Sequence, residues 1–143
     1  PGDFQLDQSV LWGPAFNPAQ FNRIIDGKKV DLLLLDSTGA DRDITPITEA
    51  DVRQALREVM DEHPGKRVIV AVMGGFEENM ASVARVAAEK NKTLWIAGWS
   101  HEQSLSALNE TGMTLQDHIQ LPLSVRTLAP GKAARRGRSR GAV

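Results

Sequence analysis

Three short apolar runs constrain this chain more than any other feature. Val30-Asp31-Leu32-Leu33-Leu34-Leu35, Val68-Ile69-Val70-Ala71-Val72 and Thr93-Leu94-Trp95-Ile96-Ala97 are each too short for an ordinary helix. Each is followed by glycine or by serine and threonine. Short apolar runs closed in this way read as buried strands. Helical patterns lie between them. Thr48 can cap a helix, with Glu49 and Asp51 in its favourable first turn. Val52, Ala55, Leu56, Val59 and Met60 then recur at helical spacing, which predicts one buried apolar stripe. His63-Pro64-Gly65 stops that helix, because proline cannot continue it and glycine tolerates the turn. A second helix is predicted from Glu77 to Lys90, burying Met80, Val83, Ala84 and Ala87. A third is predicted from His101 to Asn109, burying Leu105 and Leu108.

Strands alternating with helices imply parallel strands and right-handed crossovers. The expected fold class is α/β: a three-layer sandwich with a mainly parallel sheet flanked by helices. Residues 1–29 and those after about Leu115 follow no clear period. Ligands of such sheets sit at the carboxyl ends of the strands. Here those ends are Asp36-Ser37-Thr38, Met73-Gly74-Gly75 and Gly98-Trp99-Ser100.

The length of 143 residues suits one domain. No run reaches the roughly 18 apolar residues that a membrane helix needs, so no membrane partner is expected. The chain has no cysteine, which excludes disulfides and thiolate metal sites and fits a cytoplasmic location. Its formal charge is −1, but five cations sit near the end, so residues 1–131 carry −6. Those cations are Lys132, Arg135, Arg136, Arg138 and Arg140, and nothing after Asp117 is acidic. A basic run of this kind cannot bury a core and is expected to be a disordered tail. Its arginines, Arg135, Arg136 and Arg138 among them, can displace counterions from a nucleic acid. A solvated terminus is the plainer reading.

The strand-end residues offer chemistry of different kinds. Asp36 can bind a metal, accept a proton or orient a histidine, and Ser37 and Thr38 can hydrogen-bond a phosphate. All three also favour turns and caps. Gly74 and Gly75 permit close backbone approach at a helix N-terminus, which suits an anion; a tight strand-to-helix turn needs the same residues. Trp99 can stack on a base, with Ser100 beside it, or it can be a partly buried aromatic. His63, His101 and His118 stand apart, so the chain supplies no complete zinc site of the usual type and no nucleophilic triad.

Taken together, these segments resemble the ribonuclease J branch of the β-CASP metallo-β-lactamase superfamily. Pro1-Gly2-Asp3-Phe4-Gln5 is similar to the family's Thr-Gly-Asp-Phe-Lys segment, and Asp36-Ser37-Thr38-Gly39-Ala40-Asp41 to its Asp-Ser-Thr-Asn-Ala-Glu. The stretch from Gly65 to Ser100 resembles the family's Gly-Arg-Ile-Ile-Val-Ala through Gly-Arg-Ser. The resemblance covers about Pro1 to Leu115. It implies that Asp3 is a metal-bridging ligand and that Asp36 belongs to the active-site surroundings. Two departures accompany it. The family's Ala-Ser-Asn-x-His is replaced by Gly74-Gly75-Phe76-Glu77-Glu78, and Gly-Arg-Ser by Gly98-Trp99-Ser100, which removes a cation facing RNA.

The resemblance also implies the organisation of the chain. Residues 1–29 would be a remnant of the metallo-β-lactamase domain and a connector, 30–128 a β-CASP-like α/β domain, and 129–143 the basic tail. The expected function is that of a piece of a zinc-dependent RNA hydrolase, inactive alone because the His-x-His-x-Asp-His motif is absent. Its expected partners are RNA, the remaining metallo-β-lactamase domain and a second copy in the intact enzyme. A non-catalytic nucleic-acid-binding or interaction module is the alternative. A doubly wound domain binding a small nucleotide is a third reading, disfavoured by the lack of a phosphate loop.

Overall fold

The computed structural model describes residues 6–34, 36–37, 40–43, 45–73 and 77–128. Five helices and two strands occur among them: α1 (Pro18–Ile25), α2 (Glu49–Glu62), α3 (Glu77–Glu89), β1 (Leu94–Ala97), α4 (Trp99–Glu110), α5 (Leu115–Ile119) and β2 (Val125–Leu128). The class is α/β. β1 and β2 pair in parallel, from Leu94 opposite Val125 to Ala97 opposite Leu128. A parallel pair needs a long crossover, and α4 and α5 supply it.

The third apolar run becomes β1 because residues 125–128 give it a hydrogen-bonding neighbour. The other two runs differ from the expectation. Residues 30–34 and 68–72 join no ladder. Leu32 is 75% exposed and Ile69 88%. A strand needs a partner edge as well as apolar side chains, and the described residues offer these runs none.

The core forms on one side of β1. α3 presents Met80, Ala81, Ala84 and Ala87 to Ile96 of β1, to Leu115 and Ile119 of α5, and to Leu123. Three alanines on one face let the helix approach closely, and Ile119 is fully buried in the space they leave. The predicted contacts at Met80, Ala84 and Ala87 are present, and Val83 is half-buried. α4 begins two residues earlier than predicted and buries Leu108.

α2 has the predicted cap but not the predicted face. The Thr48 hydroxyl accepts from the Asp51 amide while the Asp51 carboxylate accepts from the Thr48 amide. Val52 and Val59 are exposed, and the buried residue is Arg53. α2 packs on α3 through polar groups. Arg53 Nη1 donates to Ser82 Oγ (3.1 Å), Arg53 Nη2 to the Ser9 carbonyl (2.8 Å), and Ser82 to Glu49 (2.7 Å). Arg57 adds a two-pronged bond to Glu89, at 2.8 and 3.2 Å. Of the predicted stripe, Leu56 and Met60 are half-buried while Val52, Ala55 and Val59 stay exposed, since the described residues of the first two runs form no sheet to receive them.

The N-terminal segment is held by capping contacts. Asp7 accepts from the Glu49 amide (2.6 Å), and Ser9 Oγ from the Ala50 amide (3.0 Å), so residues 7–9 close the start of α2. α1 was not legible from periodicity. Its signal is local: Asn17 caps it, accepting from the Gln20 amide, and Pro18 opens it. Likewise α5 rests on a capping box between Thr114 and Asp117.

Candidate nucleic-acid interface

The edge at the carboxyl end of β1 is built by a backbone turn. Gly98 adopts φ 111°, a conformation that side-chain-bearing residues rarely take. It turns the strand directly into α4, so Trp99 and Ser100 are the first two helical residues. Both are exposed, Trp99 by 54%. His101 Nε2 lies 3.1 Å from the Val72 carbonyl. A carbonyl only accepts, so Nε2 is the donor in this bond. Ser104 donates to Glu77 at 3.1 Å. These two bonds bring the end of the second run and the start of α3 to the start of α4. The described flanks of the second predicted strand end, Val72 and Glu77, therefore lie against the start of α4.

Asp36 is half-buried, and Ser37 is exposed, its carbonyl accepting from the Ala40 amide at 3.0 Å. Asp3, Thr38, Gly74, Gly75, Arg135, Arg136 and Arg138 lie outside the described residues.

Several chemistry-bearing side chains serve structural contacts. The Glu78 carboxylate accepts from the Leu11 amide (2.6 Å) and from the Trp12 amide. Trp12 stacks on His118, centroids 4.0 Å apart and planes 11° from parallel. The N-terminal segment is thereby clamped to α3 and α5. No group of three or more His, Asp or Glu that could hold a metal occurs among the described residues.

Sequence reasoning missed one pair. Trp95 and Arg126 are register partners across β1 and β2. The Arg126 guanidinium carbon sits 5.3 Å from the Trp95 ring centroid, a cation–π distance. Trp95 is still 50% exposed. The missing signal was β2 itself: Val125-Arg126-Thr127-Leu128 is too short to stand out, although Val and Thr favour strands.

A cleft of about 230 Å³ lies at the opposite end, near Asp61, His63, Lys66, Lys90 and Lys92. Its lysines follow the carboxyl ends of α2 and α3, where cations complement the helix dipoles, and Lys90 pairs with Asp61. That accounts for them structurally.

In comparisons with known proteins, no family model, curated protein or solved structure matches the chain. Among the described residues no helix is long and apolar enough to cross a membrane.

Proposed function

We propose that the chain is the RNA-facing α/β part of a ribonuclease J-like hydrolase, and that it binds RNA at the carboxyl ends of its strands without cleaving it alone. The observation that supports this is the strand-end edge. Trp99 and Ser100 are exposed at a glycine turn, and the His101–Val72 bond draws the second segment to them. The sequence adds cations beyond β2 for the phosphates.

On this reading residues 30–35 and 68–72, largely exposed among the described residues of the isolated chain, join β1 in a larger parallel sheet flanked by helices, the three-layer form of the class, only within the intact enzyme. Asp36 orients a metal ligand at that sheet's edge, Ser37 and Thr38 hold a phosphate, and Gly74 and Gly75 admit it closely. Asp3 contributes to a metal centre whose other ligands come from the metallo-β-lactamase domain. Zinc held there would supply activated water and charge neutralisation. The intact enzyme is cytoplasmic and dimeric.

A non-catalytic binding module is the second reading. It is favoured by the engagement of His101, His118, Glu77 and Glu78 in structural contacts.

Fluorescence anisotropy with labelled RNA tests the shared claim. Binding is expected at low salt and should weaken steeply as salt rises, with no cleavage in the presence of zinc. Absence of binding at low salt would remove both readings. Zinc-dependent cleavage by the chain alone would remove its incompleteness.

A further inference from the structure

We propose that the cleft at the amino end of β1 binds a small, multiply charged phosphate compound, gripped by Lys66 and Lys92. The site goes beyond the RNA reading and does not rest on it, because it lies at the end of the fold away from the strand-end edge.

Two helix ends build the cleft. α2 stops at His63. Gly65 then adopts φ 75°, and the Lys66 amide turns back onto the His63 carbonyl at 3.2 Å. α3 closes with a second turn of the same hand. Asn91 sits at φ 53°, in the left-handed region that asparagine tolerates better than most residues. The Lys92 amide donates to the Ala87 carbonyl at 2.8 Å, and β1 follows at Leu94. Lys66 and Lys92 thus leave from closed, hydrogen-bonded turns. Both line one cleft of about 230 Å³, together with Asp61, His63 and Lys90.

The helix ends explain where these lysines sit, but they do not consume the charge. Lys90 is held by Asp61 at 2.5 Å, with its side chain only 29% exposed. Among the described residues, Asp61 is the one carboxylate that lines the cleft. The carboxyl ends of α2 and α3 add roughly half a negative charge each. Against three ammonium groups, about one positive charge is left over. Among the described residues neither the Lys66 nor the Lys92 ammonium has an ion-pair or hydrogen-bond partner. Both therefore have donors to offer, and the exposed His63 imidazole can add another. Residues 1–131 as a whole carry −6. A positive concavity on an acidic chain concentrates anions at one place.

Size and chemistry narrow the ligand. The cleft is smaller than the roughly 300–1,000 Å³ of pockets that enclose drug-sized molecules. A nucleotide is too large for it, and a diphosphate or a phosphorylated sugar fits. No tryptophan or phenylalanine lines it among the described residues, so a base would find little to stack on. Lysine binds phosphate as a point charge, without the fork geometry of arginine. Two lysines from separate turns suit a ligand with several anionic oxygens.

The test titrates the full chain with inorganic pyrophosphate by calorimetry, against sodium chloride of equal ionic strength. Pyrophosphate should bind at one site per chain, and amide spectra should shift at His63, Lys66 and Lys92. Lys66→Ala and Lys92→Ala should each weaken binding roughly 5- to 30-fold, the loss of one charge-assisted hydrogen bond. Lys66→Arg keeps the charge and should retain most of the affinity. Lys29→Ala, at a lysine paired with Asp31 outside the cleft, should change little. Circular dichroism checks the fold of each variant, and the amide shifts of the unaltered chain decide where one fails to fold. If pyrophosphate has no effect beyond that of chloride, the site is overturned. If it binds but the two cleft variants weaken it no more than Lys29→Ala does, the contact is diffuse and the site is again overturned. If a labelled oligouridylate displaces pyrophosphate and loses affinity in the same two variants, the cleft serves nucleic-acid phosphates, and the small ligand falls while the RNA reading stands. If pyrophosphate binds as expected and the oligouridylate does not bind, the RNA reading falls and this site stands.

Discussion

In residues 77–128, Met80, Ile96, Leu115, Ile119 and Leu123 come from four separate stretches of chain and meet in one cluster. In residues 6–73, Val30, Leu32, Leu33, Ile69 and Met73 are at least as apolar and are exposed. Val52 and Val59 of α2 share their fate. The two regions differ less in hydrophobicity than in what faces it. α3 has an alanine face that fits against a strand, and that strand has a hydrogen-bonded neighbour. The runs at 30–34 and 68–72 have neither. Apolar sequence supplies the drive for burial, and a strand edge or helix face of matching shape decides whether burial happens.

Truncation on either side of that divide gives the largest contrast. Ile119→Ala removes fully buried methyl groups and should cost about 2–5 kcal/mol. Ile69→Ala, at 88% exposure, should stay within about 0.5 kcal/mol. Urea denaturation of both variants measures the difference. A cost at Ile69 that approaches the cost at Ile119 would break the comparison. It would also show that residues 68–72 are already covered in the isolated chain.

The next effect lies at the seam between the regions. Arg53 ties α2 to Ser82 of α3 and to the Ser9 carbonyl. Arg53→Ala leaves those partners short of a donor and should cost about 1–3 kcal/mol. Arg53→Lys cannot reach both acceptors in the same fork geometry and should recover only part of this. Equal stability of Arg53→Ala and wild type would mean that α2 is not held to α3 by this contact.

Local signals proved more legible in the sequence than long-range ones. The Thr48 cap, the stop at His63-Pro64-Gly65 and the inward face at Met80, Ala84 and Ala87 were all readable, because each depends on residues within a turn or two. β1 was readable as a strand, but its partner was not. Residues 125–128 lie 31 positions from their partners in β1 and carry no strong period of their own. The inward turn of Arg53 was hidden for a similar reason: it depends on Ser82 and Ser9, which periodicity along α2 cannot reveal. At the candidate interface, Trp99 was visible as a strand-end aromatic. Trp95 became more than a strand residue only once Arg126 was placed over it.

The cap of α2 gives a smaller effect. Thr48→Ala removes the hydroxyl that accepts from the Asp51 amide and should cost about 1 kcal/mol. Since Asp7 and Ser9 also serve amides of the same turn, the loss should appear mainly as faster hydrogen exchange at Asp51 and Val52. Unchanged exchange there would mean that the N-terminal segment alone suffices to cap the helix.

The smallest effect is the one acid should have on the same seam. The hydrogen bond from Arg57 holds the Glu89 carboxyl below its ordinary value of 4.5, against the opposing effect of desolvation and with help from Arg85. A carboxyl whose folded pKa is depressed favours the folded state above its unfolded value, and that contribution disappears as pH falls through the folded value. Stability should therefore decline as pH drops below about 4.5, with Glu89 responsible for part of the slope. The pair is partly exposed, so screening limits its contribution to about 1 kcal/mol or less. Glu89→Gln should lower stability at neutral pH by that amount and flatten the acid slope, as read from urea midpoints across the acid range. Asp7 titrates below its ordinary 3.8 as well: burial pushes it up, but the Glu49 amide and Ser9 outweigh that. Some acid slope should therefore persist in Glu89→Gln and diminish further in a double variant with Asp7→Asn. A slope unchanged by Glu89→Gln would place the acid-sensitive contacts away from the seam.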